Sequence, residues 1–362
     1  KGTFPSHNGI ATHESENFVI TGTGDPDHFY GFVMEDQFHG IVLGNLSKNF
    51  EIDHVEIINA GSHGLDLKTN PSCDPMTWRE NGFVNEYVIV HDVKVNTTVD
   101  EGFYIGDSHY HTTVNVCGGM TVEETPILKV EVYDNIVENT GADGIQVGSA
   151  IEYAKIHHNI VRNYAVNQAN GNTGHASGVQ VNPGSKAHVH NNLVLDGKGP
   201  AYFLSADGAT LYNNISNNTG GGVTIIERTI SSNVSFKIFN NTFLNVTGWN
   251  VYMLSDKSVD NLLYNNIIHS DPTSEDARYV VVQNNALIAQ ENNLLTNDID
   301  ELGLKSIENE DYHLTELSES VIDKGNCSDL TQANVDFYEE NRVIGPNCDI
   351  GASEYKPAVV LN

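Results

Sequence analysis

Residues 133–149 read YDNIVENTGADGIQVGS, and the same phrase returns five more times along the chain. Each copy has an Asn before a short apolar run, and the longer ones continue through polar residues with a Gly into a second apolar run. The other copies are HHNIVRNYA (157–165), HNNLVLDG (190–197), YNNISNNTGGGVTII (212–226), FNNTFLNVTG (239–248) and YNNIIHS (264–270). Equivalent Asn residues stand between 22 and 33 positions apart. A period of this size built from several short strands predicts a solenoid.

The composition of the repeats indicates which solenoid it is. A leucine-rich repeat needs Leu at fixed positions and a helix-length stretch, whereas the apolar positions here are mostly Val and Ile in runs of two to five. β-Branched runs interrupted by Asn and Gly favour strands joined by tight turns. Three short strands and three turns fill one coil of this length.

These repeats resemble those of the right-handed parallel β-helix proteins of the pectate-lyase-like superfamily over roughly residues 10–295. The resemblance implies an all-β fold, a single-stranded right-handed parallel β-helix over residues 1–295. Residues 296–362, with VIDKGNCSDL and NRVIGPNCDIGASEY, resemble the C-terminal segment of secreted bacterial β-helix proteins. We interpret this segment as a cap over the open end of the solenoid. The superfamily includes lyases, hydrolases, epimerases and phage adhesins, so the resemblance leaves the reaction open.

The repeated Asn is expected to form a structural ladder. At a turn an Asn can adopt the left-handed conformation and bond to nearby backbone, and its amide can meet the equivalent amide of the next coil. His157, His158, His188 and His190 precede ladder positions, and we expect them to be surface or ladder residues rather than ligands.

Charge and cysteine content limit the partners and the compartment. The chain has 18 Lys plus Arg against 48 Asp plus Glu, a net charge of −30, which disfavours nucleic acid and anionic membranes as partners. No apolar run approaches 18 residues, so no membrane span is expected. The repeat register places Cys73 and Cys117 in loops of neighbouring coils, and Cys327 and Cys348 flank one polar loop, which favours these two pairings among three. Two disulfides predict a secreted or cell-surface protein, and we expect a monomer.

Aligning the coils on one Gly gives the register of the polar face. Gly64, Gly102, Gly144, Gly178, Ala201 and Gly222 become equivalent. The next residue of each coil (Leu65, Phe103, Ile145, Val179, Tyr202, Val223) is expected to point into the core. The residue after that (Asp66, Tyr104, Gln146, Gln180, Phe203, Thr224) is expected to line the outside, because side chains alternate along a strand. Glu101 and Asp143 precede the aligned Gly on neighbouring coils, so their carboxylates should lie about one coil apart.

The polar side chains of this face suggest an enzyme acting on an extracellular polysaccharide. A lyase that cleaves a uronic-acid glycan by β-elimination, as the resemblance suggests, needs a base, an acid and a means of neutralising the carboxylate, often Ca²⁺. Candidate catalytic residues are Lys68, Tyr104, His109, His111 and Arg228. Candidate substrate-binding residues are His63, Asp66, Gln146, Gln180 and Glu227, and His175 lies in an insertion nearby. Candidate Ca²⁺ ligands are Glu101, Asp107 and Asp143.

Two alternatives remain open at this point. A glycoside hydrolase could use an acid pair such as Glu101 with Asp143, or Asp66 with Asp107, and a neutral glycan would suit the acidic surface. A non-catalytic adhesin could hold sugars on the polar side chains and on aromatic rings such as those of Tyr104, Tyr110 and Phe203. His109 and His111 with His63 could also bind a transition metal, although the spacing fixes no further ligand.

Overall fold

A computed structural model describes residues 6–110, 112–167, 174–226, 228, 233–327 and 333–357. Its strands in chain order are β1 Ile10–Thr12, β2 Glu16–Thr21, β3 Phe32–Glu35, β4 Ile41–Leu43, β5 Lys48–Ala60, β6 Leu65–Leu67, β7 Asn85–Thr98, β8 Phe103–Ile105, β9 Thr113–Val116, β10 Met120–Glu123, β11 Ile127–Tyr133, β12 Ile136–Thr140, β13 Ile145–Val147, β14 Ala150–His157, β15 Ile160–Arg162, β16 Val179–Val181, β17 Ala187–His190, β18 Leu193–Leu204, β19 Ala209–Tyr212, β20 Ile215–Ile225, β21 Phe236–Phe239, β22 Thr242–Val246, β23 Trp249–Met253, β24 Leu262–Tyr264, β25 Ile267–Ser270, β26 Arg278–Val282, β27 Ala289–Glu291, β28 Leu294–Thr296, β29 Leu304–Ser306 and β30 Asp311–Leu314. The helical pieces in the described part of the chain are single 3-10 turns at Pro75–Thr77, Arg79–Asn81, Asp300–Leu302 and Ile307–Asn309.

Twenty-six of these strands form one continuous parallel sheet that winds into a β-helix. It has three faces, and each strand pairs with the equivalent strand one coil away. Sheet A contains β2, β5, β7, β11, β14, β17, β19, β21, β24 and β27; sheet B contains β3, β5, β7, β12, β15, β18, β20, β22, β25 and β28; sheet C contains β1, β4, β6, β8, β13, β16, β18, β20, β23 and β26. The long strands β5, β7, β18 and β20 turn a corner and so belong to two sheets. The predicted right-handed parallel β-helix is confirmed.

The register predicted for sheet C is also confirmed. Phe103 pairs with Leu65 on one side and with Ile145 on the other, and the series continues through Val179 and Tyr202 to Val223. All six side chains are fully buried in the main core. Each aligned Gly faces a core side chain of a neighbouring strand; a Cβ at Gly144, for example, would lie 2.4 Å from Val161. The tight inner corner therefore favours Gly, and Ala201 is the exception among the six aligned positions.

The repeated Asn forms the predicted ladder at the corner between sheets A and B. Each side-chain amide donates to the Oδ1 of the next ladder Asn over 2.9–3.0 Å, and the contacts run unbroken along seven coils. The ladder residues are Asn135, Asn159, Asn192, Asn214, Asn241, Asn266 and Asn293. The left-handed conformation belongs instead to the residue just before each of them, for instance His158 (φ 56°) and Asn213 (φ 52°). The sequence assigned both the left-handed turn and the ladder hydrogen bonds to one Asn. In the structure two successive residues share these roles.

Beside the ladder, aromatic rings stack along the same corner. Neighbouring centroids are 4.7–5.2 Å apart and the rings are nearly parallel. The stack consists of His91, Tyr133, His157, His190, Tyr212, Phe239 and Tyr264. Burial lowers the pKa of His157 to about 3 and that of His190 to about 4, so both rings are neutral at physiological pH. They are structural residues, in agreement with the prediction for them.

The C-terminal segment lies along the flank of the helix, whereas the sequence suggested a cap over its end. The outward side chains of sheet B form a second apolar cluster with this segment. From the helix the cluster includes Leu193, Leu195, Ile215, Leu244 and Ile267, and from the segment Leu302, Tyr312, Leu314, Val321, Ile350 and Ala352. The last coil retains exposed apolar side chains, with Leu287 78% exposed. Each strand of the β-helix buries only its inner face in the main core. The C-terminal segment therefore covers the outer face of sheet B.

Both predicted disulfides are present, Cys73–Cys117 and Cys327–Cys348. The first joins two loops that leave neighbouring coils directly after sheet C, one with two 3-10 turns and one with the β9–β10 hairpin. Arg79 further connects the two loops, because its guanidinium pairs with Glu123 at 2.8 Å and lies 3.7 Å from the ring centroid of Tyr110. No helix among the described residues has the length and apolarity to cross a membrane.

Candidate active site

The outer face of sheet C carries a column of polar residues, one on each coil, directly before the aligned Gly. His39, His63, Glu101, Asp143 and Ser177 occupy it in that order, since the strands that follow them are paired in register. Equivalent residues on adjacent coils lie ~4.8 Å apart. We call these five residues the acid column. It brings together Glu101 and Asp143, which are 42 positions apart in the chain.

Glu101 is held from both sides by histidines. Its Oε2 lies 2.9 Å from Nε2 of His63, and its Oε1 lies 3.0 Å from Nδ1 of His175. Burial alone would raise the pKa of Glu101, but the hydrogen bonds from His175 and His63 outweigh burial and hold it far below the usual value. The same contact raises the pKa of His175. Glu101 is therefore a carboxylate at every pH of interest.

Asp143 has the opposite character. Its side chain is fully buried, and burial raises its pKa to about 8, although a hydrogen bond of 2.6 Å from the Ser177 amide opposes the shift. The nearby charge of Glu101 adds to the increase. Ligand atoms of Glu101, Asp143 and His175 all lie within 4.8 Å of one another. Two adjacent carboxyl groups thus differ in protonation near neutral pH, which is the arrangement of an acid and a base or nucleophile.

Lys68 and Tyr104 form a second pair beside the column. The Lys68 ammonium lies 3.4 Å from the centroid of the Tyr104 ring, and the Tyr104 hydroxyl is 3.0 Å from Oγ of Ser108. Burial would lower the pKa of Lys68, but Tyr104, Asp107 and Asp66 together raise it. Lys68 therefore remains a cation. This favours a role in binding negative charge over the role of base that the sequence left possible for it.

The predicted outward residues of the following coils do face outward, but they are not open to solvent. Gln146 and Gln180 are fully buried and Phe203 nearly so. With its amide oriented to satisfy its neighbours, Gln180 donates to Asp143 Oδ2 (3.3 Å) and to the carbonyl of Gly174 (3.1 Å). Arg228 covers Phe203, with its guanidinium 5.4 Å from the ring centroid. Gly174 and Arg228 therefore contact the outer face of this part of sheet C.

Arg228, a candidate catalytic residue from the sequence, contacts a side chain of the turn that follows β16. It donates to Oδ1 of Asn182 at 3.1 Å, and burial lowers its pKa. His111 and Glu227, the other candidates from the sequence in these loops, lie outside the described residues.

Asp107 belongs to a separate cluster with His109 and Glu124. His109 Nδ1 lies 3.3 Å from Glu124 and 3.6 Å from Asp107, and these two contacts raise its pKa to about 10. Burial raises the pKa of Glu124 to about 7. In Asp107 the contacts with His109 and Lys68 outweigh burial and lower the pKa. The three residues predicted to bind Ca²⁺ are thus divided between two clusters.

The donor set around Glu101 and Asp143 does not suit Ca²⁺. The cation takes six to eight oxygen ligands, whereas both oxygens of Glu101 face imidazole nitrogens. Activity measured in the presence of a chelator tests the prediction that Glu101, Asp107 and Asp143 bind Ca²⁺.

Three residues of this region had no role in the sequence prediction. His39 precedes Gly40 just as His63 precedes Gly64, so extending the alignment by one coil would have found it. Glu124 lies at the end of the second loop, and no repeat position marks it. Ser177 contributes only its backbone amide to Asp143, which a pattern of side chains does not reveal.

No protein-family model and no curated protein matches the sequence. Among solved structures, the chain is similar to pectate lyase Pel9A, with 11% identity and a TM-score of 0.49 over 98% of this chain and 85% of that one. It is also similar to the GH136 lacto-N-biosidase from Eubacterium ramulus (17% identity, TM-score 0.47, 80% of this chain, 59% of that one). A third is XylC in complex with xylose (12% identity, TM-score 0.37, 77% of this chain, 56% of that one). The register of the coils, rather than these likenesses, establishes the fold.

Proposed function

We propose that the protein is a secreted glycoside hydrolase that uses Glu101 and Asp143 as its two catalytic carboxyl groups. The observation that carries this proposal is the placement of two carboxyl groups side by side on adjacent coils, Glu101 between two histidines and Asp143 fully buried, where burial raises its pKa. Oxygens of the two groups lie within 4.8 Å. Retaining glycosidases hold their carboxyl groups ~5–5.5 Å apart and inverting enzymes ~6.5–9.5 Å, so the spacing supports retention.

In the proposed reaction, a Glu101 oxygen attacks the anomeric carbon while Asp143 gives its proton to the departing glycosidic oxygen. A water molecule then attacks the anomeric carbon while Asp143 takes its proton, and the bond between that carbon and Glu101 breaks, which releases the sugar with its original anomeric configuration and restores both carboxyl groups. His63 and His175 orient Glu101. His175, with a side chain 36% exposed, also lies 3.8 Å from Asp143 and so contacts both carboxyl groups.

The pKa of Asp143 predicts the basic limb of the pH profile. The general acid must be protonated, so kcat/KM is expected to fall as the pH rises through about 8. The Asp143→Asn variant should lose this limb. It should also hydrolyse an aryl glycoside with a good leaving group far better than an unactivated glycan, because a good leaving group needs no proton. A basic limb that persists in Asp143→Asn would assign the acid to another residue.

A uronate lyase is the second candidate, and the Lys68–Tyr104 pair supports it. A lysine that stays cationic can neutralise a uronate carboxylate, and an adjacent tyrosine hydroxyl can move a proton. The proton would leave C5, the C4–O bond would break, and the product would carry a new C4–C5 double bond that absorbs in the ultraviolet.

A panel of neutral and uronic-acid glycans separates these proposals. New reducing ends without ultraviolet absorbance, released with retained configuration by NMR, support the hydrolase. Absorbance that appears with the new ends supports the lyase, and activity that survives a chelator removes Ca²⁺ from either mechanism. Binding without any product would favour the adhesin.

A further inference from the structure

At the start of the acid column, His39, His63 and Asp66 form a group of side chains of the types that ligate metals, and of the three only His63 has a part in the proposed hydrolysis, through its contact with Glu101. One ligand atom of each lies within 4.8 Å of the others. The rings of His39 and His63 come from adjacent coils, with centroids 5.1 Å apart. Two atoms of this group are buried without a hydrogen-bond partner, Nδ1 of His63 and Oδ1 of Asp66.

The contact to Glu101 determines which nitrogen of His63 is free. Nε2 lies 2.9 Å from Oε2 of Glu101, a partner that can only be faced by an N–H, so the proton of the neutral ring is placed on Nε2. In the neutral ring Nδ1 then keeps its lone pair, and this nitrogen lies 3.9 Å from Oδ2 of Asp66. A histidine that binds a metal through one nitrogen almost always donates the other N–H to a carboxylate or carbonyl. Here Glu101 is the carboxylate that faces Nε2 of His63, and Nδ1 of His63 faces Asp66, where a metal ion would bind.

Two imidazoles and one carboxylate indicate the class of metal. Ca²⁺ and Mg²⁺ prefer oxygen ligands, whereas borderline first-row ions such as Zn²⁺ bind imidazole nitrogen together with carboxylate. The side chains of His63 and Asp66 are 17% and 16% exposed, so an ion can enter and water can complete its coordination. We propose that His39, His63 and Asp66 bind one divalent transition-metal ion of the zinc type, with Glu101 orienting His63 behind it.

The test is Zn²⁺ titration of the whole protein after removal of metals, followed by competition with a chromophoric chelator. We expect a site that His39→Ala and Asp66→Ala abolish. Glu101→Gln should weaken it about 10–100-fold, the usual effect of losing a carboxylate behind a metal-bound histidine. His188→Ala is the matched control, because this half-buried histidine on sheet A bonds only Thr210 among the hydrogen bonds of the described side chains, and it should bind zinc as the parent does.

Two further measurements keep the result independent of folding and of catalysis. Zn²⁺ should raise the melting temperature of the parent but not of His39→Ala, whose metal-free melting temperature reports whether the variant folds. Anomalous diffraction should place the ion ~2.0–2.2 Å from the ligand atoms of His39, His63 and Asp66. Unchanged zinc affinity in His39→Ala and Asp66→Ala, an ion at Asp107, His109 and Glu124 instead, or no binding at micromolar Zn²⁺ would each overturn the assignment, whether or not the protein is a hydrolase.

Discussion

Replacing Glu101 by Gln is expected to lower kcat by about 10³-fold or more on any glycan that the protein hydrolyses. The amide keeps the size of the side chain but lacks the charge and the nucleophilic oxygen. The same change replaces one of the two oxygens that face His63 and His175 with an NH2 group, which cannot accept from an imidazole N–H. Steady-state kinetics on the best substrate of the glycan panel provides the measurement.

Glu131→Gln is the matched control for this experiment. Glu131 is a glutamate of sheet A that bonds Lys155 and Tyr153, and its loss should leave kcat unchanged. Melting temperatures of both variants separate a chemical from a structural effect. A Glu101→Gln protein that folds and keeps activity within tenfold of the parent would remove Glu101 from the mechanism, while leaving the fold and the zinc proposal to their own tests.

Replacing Asn214 by Ala is expected to reduce the free energy of unfolding by about 3–5 kcal/mol. Its amide donates to Asn241 and to the carbonyls of Val189 and Tyr212, and its oxygen accepts from Asn192. All of these contacts are buried, so alanine leaves several polar groups without partners and breaks the ladder in its middle.

Chemical denaturation of Asn214→Ala beside Asn309→Ala measures this effect. Asn309 is exposed and its amide donates only to Oγ of Ser306 among the side-chain contacts, so its replacement should change stability by no more than about 0.5 kcal/mol. Similar values for the two variants would show that the coils are held by their apolar core and strand pairing, with no measurable contribution from the ladder.

The fold was predictable because each coil repeats the same local physics. An Asn such as Asn159 needs its counterpart one coil away, and an aligned Gly such as Gly144 is required by the close approach of a core side chain. Both constraints recur at the repeat period, so they are visible in the sequence. The C-terminal segment has no period, and its position on sheet B follows from tertiary contacts such as Tyr312 against the outward apolar residues.

The site was predictable only where it follows the repeat. Glu101, Asp143 and His63 lie at repeat positions, and the alignment placed them side by side. His175 and Glu124 lie on insertions whose path no periodicity describes. The burial of Gln146 and Gln180 was not predictable either: the alternation of side chains gives their direction correctly, but their exclusion from solvent depends on tertiary structure.

The position of the C-terminal segment has a consequence for the order of synthesis. The coils emerge from the ribosome before the residues that cover their flank. Four apolar residues of sheet B therefore stay exposed until tens of further residues have been synthesised, namely Leu193, Ile215, Leu244 and Ile267. Until the C-terminal segment is made, the outer face of sheet B therefore exposes an apolar surface, and this is the stage at which the chain is most prone to aggregate.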